Sequence, residues 1–287
     1  MFLPGPDLMT SVLRLLPALA VLFAATVADA AQTDWQEVTG GKIRMIAVGA
    51  PGAPERTDAA LEIVMEPGWH TYWRFPGEAG IPTTADFSRS VGVSGARLGF
   101  PAPLRYDDGT STSIVYQNRV ILPVDFTLDQ TDGSATLYAD VLFGVCSDIC
   151  VPAEASLSLS VPPQQDTLQH RMAITSARLA IPRPQGDQPP RISRVVAGPT
   201  DDAGERGLTI EVALAGGNLA VDLFAQGADG SYNEVPRLIE RDGTRAVFAL
   251  STHGLARTTD GRPLTLVLVN GTSAVQHTID AETLAPR

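Results

Sequence analysis

Cys146 and Cys150 are the only cysteines in the chain, and Ser147-Asp148-Ile149 lies between them. A close pair of this kind can staple the fold, exchange electrons with another protein's thiols, or offer two thiolates to a soft metal such as Cu(I). The spacing constrains all three. Residues four apart in one extended strand lie about 13 Å apart, whereas a disulfide needs Cα atoms roughly 4.4–6.8 Å apart. A bond therefore requires the chain to turn within Ser147-Asp148-Ile149. The flanks agree: strand-like residues run to Phe143, Gly144 is expected to break the run, and Val151-Pro152 opens the next strand. The pair is expected at a strand-to-strand turn, near the surface at one end of a sheet. As a staple it is modest, because closing a loop of about five residues removes only about 2 kcal/mol of unfolded-chain entropy. Asp148, between the two thiols, disfavours the thiolate. Such a site suits attack by another protein's thiolate or activation by a partner. Spacing alone leaves staple, exchange and metal open.

The compartment bears on the choice. Val12 to Val27 is almost wholly apolar, broken only by Arg14, Pro17 and Thr26, and Ala28-Asp29-Ala30 follows with small residues where a signal peptidase reads. Residues 1–30 are expected to be a signal peptide, with Ala31 as the mature start. Met9 is a second candidate start. No later run approaches a membrane span, so a soluble exported protein in an oxidising periplasm is expected, without a stable membrane anchor. The formal charge of −11 argues against nucleic acid and anionic lipid as partners.

The elements that must hold the pair read as β-structure. Lys42–Val48, Ala60–Met65, Ser113–Tyr116, Val120–Val124, Ala135–Phe143 and Ala155–Val161 alternate or carry β-branched runs, with Gln117-Asn118-Arg119 expected as a hairpin turn. In Ala135–Phe143 the core face is expected to be Leu137, Ala139, Val141 and Phe143. One helix is expected from Gln165 to Ala180, with Leu168, Met172, Thr175 and Leu179 recurring at helical spacing. The Pro-rich stretch from Pro182 to Pro190 follows as a stiff linker. Beyond it, Leu208–Leu214, Leu219–Phe224, Arg245–Leu250 and Leu264–Val269 read as strands, with Gly216-Gly217 and Asp242-Gly243 as turns. The expected fold is all-β: two immunoglobulin-like β-sandwich domains joined by a short helix and Pro-rich linker. The expected divisions are a redox sandwich at 31–162, helix and linker at 163–190, and a second sandwich at 191–287. The second carries no cluster of chemistry-bearing residues and is read as positioning the first or binding a partner.

Several ordered motifs resemble one family. Gly144-Val145-Cys146-Ser147-Asp148-Ile149-Cys150-Val151-Pro152-Ala153-Glu154 is similar to the active-site stretch of the N-terminal periplasmic domain of the protein-disulfide reductase DsbD. It is especially similar to the version in the suppressor-of-copper-sensitivity (ScsB) relatives. The run from Gly68 to Pro82, Phe100-Pro101-Ala102-Pro103, Ser113–Tyr116 and Leu122-Pro123-Val124 match the same pattern, so the resemblance covers about residues 35–162. It implies that Cys146 and Cys150 cycle between dithiol and disulfide, one entering a mixed disulfide and the other resolving it. It implies thioredoxin-like periplasmic proteins or a membrane electron conductor as partners, and possible protein-disulfide reductase activity. The chain departs from the pattern in having no transmembrane segment and no Cys-x-x-Cys, so electrons are expected from a separate protein. The family's aromatic cap corresponds to Arg105–Thr110, which lacks the aromatic pair at its tip. There the resemblance casts Tyr106 as the shield and Asp107 or Asp108 as the carboxylate near the sulfurs.

Trp69, Tyr72 and Trp73 read as packing, with a place beside the cysteines as the alternative. His70, His170, His253 and His277 show no ligand spacing, and Met45 and Met65 read as core. No cofactor and no metal site is expected. The rival to electron exchange is a copper-handling or partner-binding module in which the cysteines are ligands or a structural bond.

Overall fold

The structure is a computed structural model; it describes Met1 and residues 32–49, 55–129, 134–161, 167–216 and 218–284. The expected signal segment after Met1, the start at Ala31, Gln165 of the expected helix and Gly217 of the expected turn lie outside the described residues. The N-terminal strands are β1 (Gln36–Val38), β2 (Gly41–Gly49), β3 (Arg56–Met65), β4 (His70–Gly77), β5 (Thr84–Asp86), β6 (Val93–Leu98), β7 (Leu104–Asp107), β8 (Thr112–Gln117), β9 (Arg119–Leu128), β10 (Ala135–Cys146) and β11 (Cys150–Val161). One sheet runs β1-β2-β3-β9-β6 and the other β11-β10-β4-β8-β7, with β5 joined to β10. Their facing sides enclose a core that includes Ile43, Met45, Leu61, Trp73, Ile114, Leu122, Phe126 and Phe143. The alternation expected in β10 holds: Leu137, Ala139, Val141 and Phe143 are buried, and Leu142 faces out. Pro152 sits in β11, the edge strand, where a missing N–H breaks no ladder.

Two expectations about the strands need correction. Gln117-Asn118-Arg119 is a tight turn but not a hairpin, because β8 pairs with β4 and β7 while β9 pairs with β3 and β6. Asn118, at φ 61°, swings the chain from one sheet to the other. Asparagine tolerates this left-handed conformation better than most residues, and its carbonyl accepts from the Met65 amide. Gly144 does not break β10, which runs unbroken through it to Cys146. The glycine is there for space, as the site below shows.

The helix α1 (Leu168–Leu179) is capped by Thr167, whose side chain accepts from the His170 amide. It lies on β9, β2 and β3. The buried stripe is His170, Ile174 and Ala177, so the face expected to be apolar points outward: Leu168 is 73 % exposed, Met172 61 % and Leu179 82 %. Polar anchoring sets the rotation. Arg178 pairs with Asp58 and Asp125 on the sheet, which turns the His170, Ile174 and Ala177 stripe inward.

The remaining strands are β12 (Arg183–Pro184), β13 (Arg191–Thr200), β14 (Arg206–Ala213), β15 (Val221–Gly227), β16 (Arg237–Asp242), β17 (Arg245–Ser251), β18 (Pro263–Asn270) and β19 (Ser273–Asp280). They form sheets β12-β19-β18-β15 and β13-β14-β17-β16. All pairings are antiparallel except the two-residue β12 on β19. The second core includes Ile210, Val212, Leu223, Phe248, Leu250, Leu264 and Leu266. The fold is all-β with one helix among the described residues, as expected. The two sandwiches touch. Phe224, Val235 and Val267 join the N-terminal core, Arg74 donates to Gln226 at 2.7 Å, and Arg105 of β7 reaches across to Asp222.

Candidate functional site

The β10–β11 hairpin carries twelve unbroken cross-strand pairs, and its last is Cys146 with Cys150. The two sulfurs are bonded, with Cα atoms 4.1 Å apart. The turn Ser147-Asp148-Ile149 is the one the spacing required. The halves of the bond differ in access: Cys146 is only 6 % exposed, whereas Cys150 is exposed, as are Asp148 and Ile149.

The neighbours come from β4 and β7. His70 stands directly opposite Cys146 in the β4–β10 pairing. In an antiparallel pair, residues directly opposite project to the same face with Cβ atoms about 4.5–5.5 Å apart. Tyr72, two residues along the same strand, shares that face. Its hydroxyl lies 3.1 Å from Cys150 Sγ. With the sulfur disulfide-bonded, the hydroxyl is the donor. Burial, with Asp108 and Tyr106 adding to it, pushes the Tyr72 phenol above its ordinary value, so it stays protonated and able to donate. Two glycines make its place. A Cβ at Gly144 would come within 2.8 Å of the ring, and one at Gly80 within 2.5 Å. Thr71 fixes the strand by donating to the Gly144 carbonyl at 2.7 Å.

Tyr106 packs against Tyr72, Val115 and Cys146, and its ring lies 4.4 Å from that of His70. It thus belongs to the cluster around the buried Cys146. Asp107, the last residue of β7, and Asp108, which opens the turn after it, are exposed, and their carboxylates bond to that turn. Asp107 accepts from the Gly109 amide at 2.8 Å. Asp108 accepts from the Thr110 hydroxyl and from the Thr110 and Ser111 amides. These bonds, the Thr110 hydroxyl first, hold the Asp108 carboxyl down at about 2. The carboxylates therefore stiffen the cap. Arg105, one residue before Tyr106, bonds Asp222 at 2.6 Å and the carbonyls of Leu223 and Pro236. The strand that carries Tyr106 is tied to the C-terminal sandwich.

The sequence reading gives His70 no role and leaves Tyr72 between packing and a place beside the cysteines. Trp69 and Trp73 are packing residues: Trp69 lies over Gly40 and Trp73 is fully buried. Tyr72 is the one that flanks the cysteines. The available signal was the period of two in His70-Thr71-Tyr72, which sets the first and third side chains on one face of a strand. Among the described residues, no group of three or more His, Cys, Asp and Glu side chains is arranged to hold a metal.

Residues 44–162, the stretch from β2 through the disulfide hairpin, match the family described as thiol:disulfide interchange protein DsbD, N-terminal. The resemblance seen in the motifs holds. The crystal structure of the N-terminal periplasmic domain of ScsB from Proteus mirabilis superposes with a TM-score of 0.70 at 21 % identity. That match covers 88 % of this chain and 99 % of the other, so the shared fold extends beyond the family region into the C-terminal sandwich. No curated protein matches the chain significantly. Among the described residues, no helix is long and apolar enough to cross a membrane.

Proposed function

We propose that this is a soluble periplasmic thiol–disulfide exchange protein that passes electrons from a reductant protein to periplasmic thiol oxidoreductases through Cys146 and Cys150. One observation carries the reading: the bond closes a hairpin tip with Cys150 exposed and Cys146 buried in the cluster that Tyr106 joins. An incoming thiolate reaches Cys150, forms the mixed disulfide there, and expels Cys146 as the leaving thiolate. The partner's second thiol, once deprotonated, then attacks the mixed disulfide and releases Cys150. Overall, the partner's dithiol is oxidised to a disulfide and the Cys146–Cys150 bond becomes a dithiol. Tyr72 lies where its hydroxyl can stabilise the Cys150 thiolate in the second step. The partners that suit such a site are thioredoxin-like domains or a membrane electron conductor, whose own thiolate makes the attack. Residues 191–287 act in this reading as a positioning unit, holding β7 through Arg105.

The test is a redox titration of the folded protein against glutathione and dithiothreitol series. Equilibration of the Cys146–Cys150 bond with these buffers, with the fold intact by circular dichroism, is expected. A bond that yields only when the domain unfolds would identify a staple and end the proposal.

A further inference from the structure

His70 is a buried, titratable group that the exchange chemistry above does not use. The residue is only 3 % exposed, and its Nδ1 has no hydrogen-bond partner. Buried polar atoms are normally paired, and an orphan calls for a reason. The ring is held by Tyr106 at 4.4 Å and by Tyr72 at 5.5 Å between centroids. Register puts it opposite Cys146, on the same face as that sulfur. The groups facing it are Cys146 from β10, Gln117 from β8, Tyr106 and Asp108 from β7 and its turn, and Tyr72 on its own strand. Asp108 is the charged one among them.

In the bonded state an orphan imidazole here has nothing to do. Opening of the disulfide changes that, because attack on Cys150 places a new negative charge on Cys146, in a pocket otherwise made of Val115, Tyr72 and Tyr106. A thiolate there, without a counter-charge, would bear the full desolvation penalty. We propose that His70 is the proton partner of Cys146: as the leaving sulfur becomes a thiolate, the imidazole takes up a proton and holds it as an imidazolium–thiolate pair.

The balance closes. The incoming thiol releases its proton to solvent on becoming the nucleophile. The S–S electron pair passes to Cys146, and one proton returns from solvent to His70, which shares it with the sulfur. Burial depresses the His70 imidazole while Asp108 pulls it up, so the ring is neutral at rest and gains its proton when the thiolate appears. Histidine suits this task because modest changes around it move its charge state near neutral pH. The inference rests on the exchange reading, but its test does not need exchange to occur.

The test uses full-length protein carrying Cys150→Ser, so that Cys146 is the lone thiol, with His70 intact, His70→Phe or His70→Asn. The ultraviolet absorbance of the Cys146 thiolate is followed against pH. With His70 intact the thiolate is expected to form at lower pH, and His70→Phe should shift its midpoint up by about one unit, a loss of about tenfold in thiolate at neutral pH. His70→Asn, which keeps a polar group of similar size, should shift it the same way, and it stands in if the Phe variant does not fold. The second readout is the His70 imidazole resonance in the otherwise wild-type protein. Its titration should move upward when the disulfide is reduced, as coupled groups require. Identical Cys146 midpoints in all three proteins, or an imidazole titration indifferent to the state of the disulfide, would overturn the assignment. A disulfide that refuses reduction in the folded protein would instead strike the exchange reading and leave the single-thiol result standing.

Discussion

In the C-terminal sandwich Asn233 is fully buried, and its amide is used up: it accepts from the Gly227 amide and donates to the Ala225 and Glu234 carbonyls. His70 in the N-terminal sandwich is buried almost as deeply and leaves Nδ1 unpartnered. The hairpin tips differ in the same sense. β18–β19 ends at Asn270 opposite Ser273, with Gly271 at φ 63° in a two-residue turn. Asn270 ties that tip to its own sandwich by accepting from Ala215 and donating to Ala220. The β10–β11 tip is held by the disulfide and the Tyr72 hydroxyl, and its residues from Asp148 to Cys150 are exposed. Asn233 and Asn270 are thus spent on order, whereas His70 Nδ1 is left open in a residue paired with a disulfide cysteine. Orphaned buried atoms also occur at Arg262 Nε of the C-terminal sandwich and His170 Nδ1 of the helix, so it is the place of the His70 orphan, beside a reactive bond, that marks it.

The largest expected effect separates the two tips outright. Cys146→Ala with Cys150→Ala should abolish electron exchange with a thioredoxin-like reductant, while urea unfolding shows a stability loss of only about 2 kcal/mol. Gly271→Ala forces a side chain into a left-handed position, 3.2 Å from Leu219. It should cost about 1 kcal/mol or more by urea unfolding and leave exchange untouched. Retained exchange in the double-cysteine variant would erase the contrast.

The second effect tests the link between the sandwiches. Asp222→Ala removes the charged acceptor among the three residues that hold Arg105, leaving the Leu223 and Pro236 carbonyls, and so weakens the tether on the strand bearing Tyr106. Dithiothreitol should then reduce the disulfide faster, by about fivefold, which corresponds to about 1 kcal/mol of lost cover. An unchanged pseudo-first-order rate would make the C-terminal sandwich a bystander. Third is Tyr72→Phe, which deletes the donor to Cys150. A charge-assisted hydrogen bond to the thiolate contributes about 1.5 kcal/mol or more. The midpoint of Cys150, measured in a Cys146→Ser background, should rise by about one unit.

Much of this contrast was legible in the sequence, and the illegible parts share a cause. The cysteine pair, its turn and the Ala135–Phe143 core face could be read because one side of that strand is buried and the other is not. His70-Thr71-Tyr72-Trp73 could not be read that way, since all four are buried. Tyr106 and its turn roof the outer face of β4, so alternation disappears where the chemistry sits. The helix misled for a related reason. Its visible stripe of Leu168, Met172 and Leu179 is not the one that packs, because the Arg178 pairs with Asp58 and Asp125 set the rotation. Those partners come from strands more than 50 residues away, so local spacing does not register them. The Gly144 reading failed because a glycine in a strand signals close approach as readily as a break, and only the Tyr72 ring distinguishes the two.

The smallest effect is a response to acid, and it sets matched loops against each other. Asp108 is held at about 2 by bonds from Thr110 and Ser111. In the C-terminal sandwich Asp280 is likewise depressed, by the Glu282 amide first and then that of Arg262. A carboxyl whose folded value lies below its unfolded one stabilises above the unfolded value and loses that contribution as pH falls through the folded one. Both turns should therefore be firm above about pH 4 and loosen below it, the Asp108 turn as pH falls toward 2. Amide exchange at Thr110 and Ser111 should quicken there, together with that at Arg262 and Glu282. Only the first loosening uncovers sulfur. Reduction by a phosphine, which works in acid, should accelerate over the same window, and Asp108→Ala should give the fast rate already at pH near neutral. Asp280→Ala should loosen its own turn and leave the reduction rate alone. Acceleration in both variants would mean that the cap responds to general loosening of the protein rather than to the bonds that Asp108 makes.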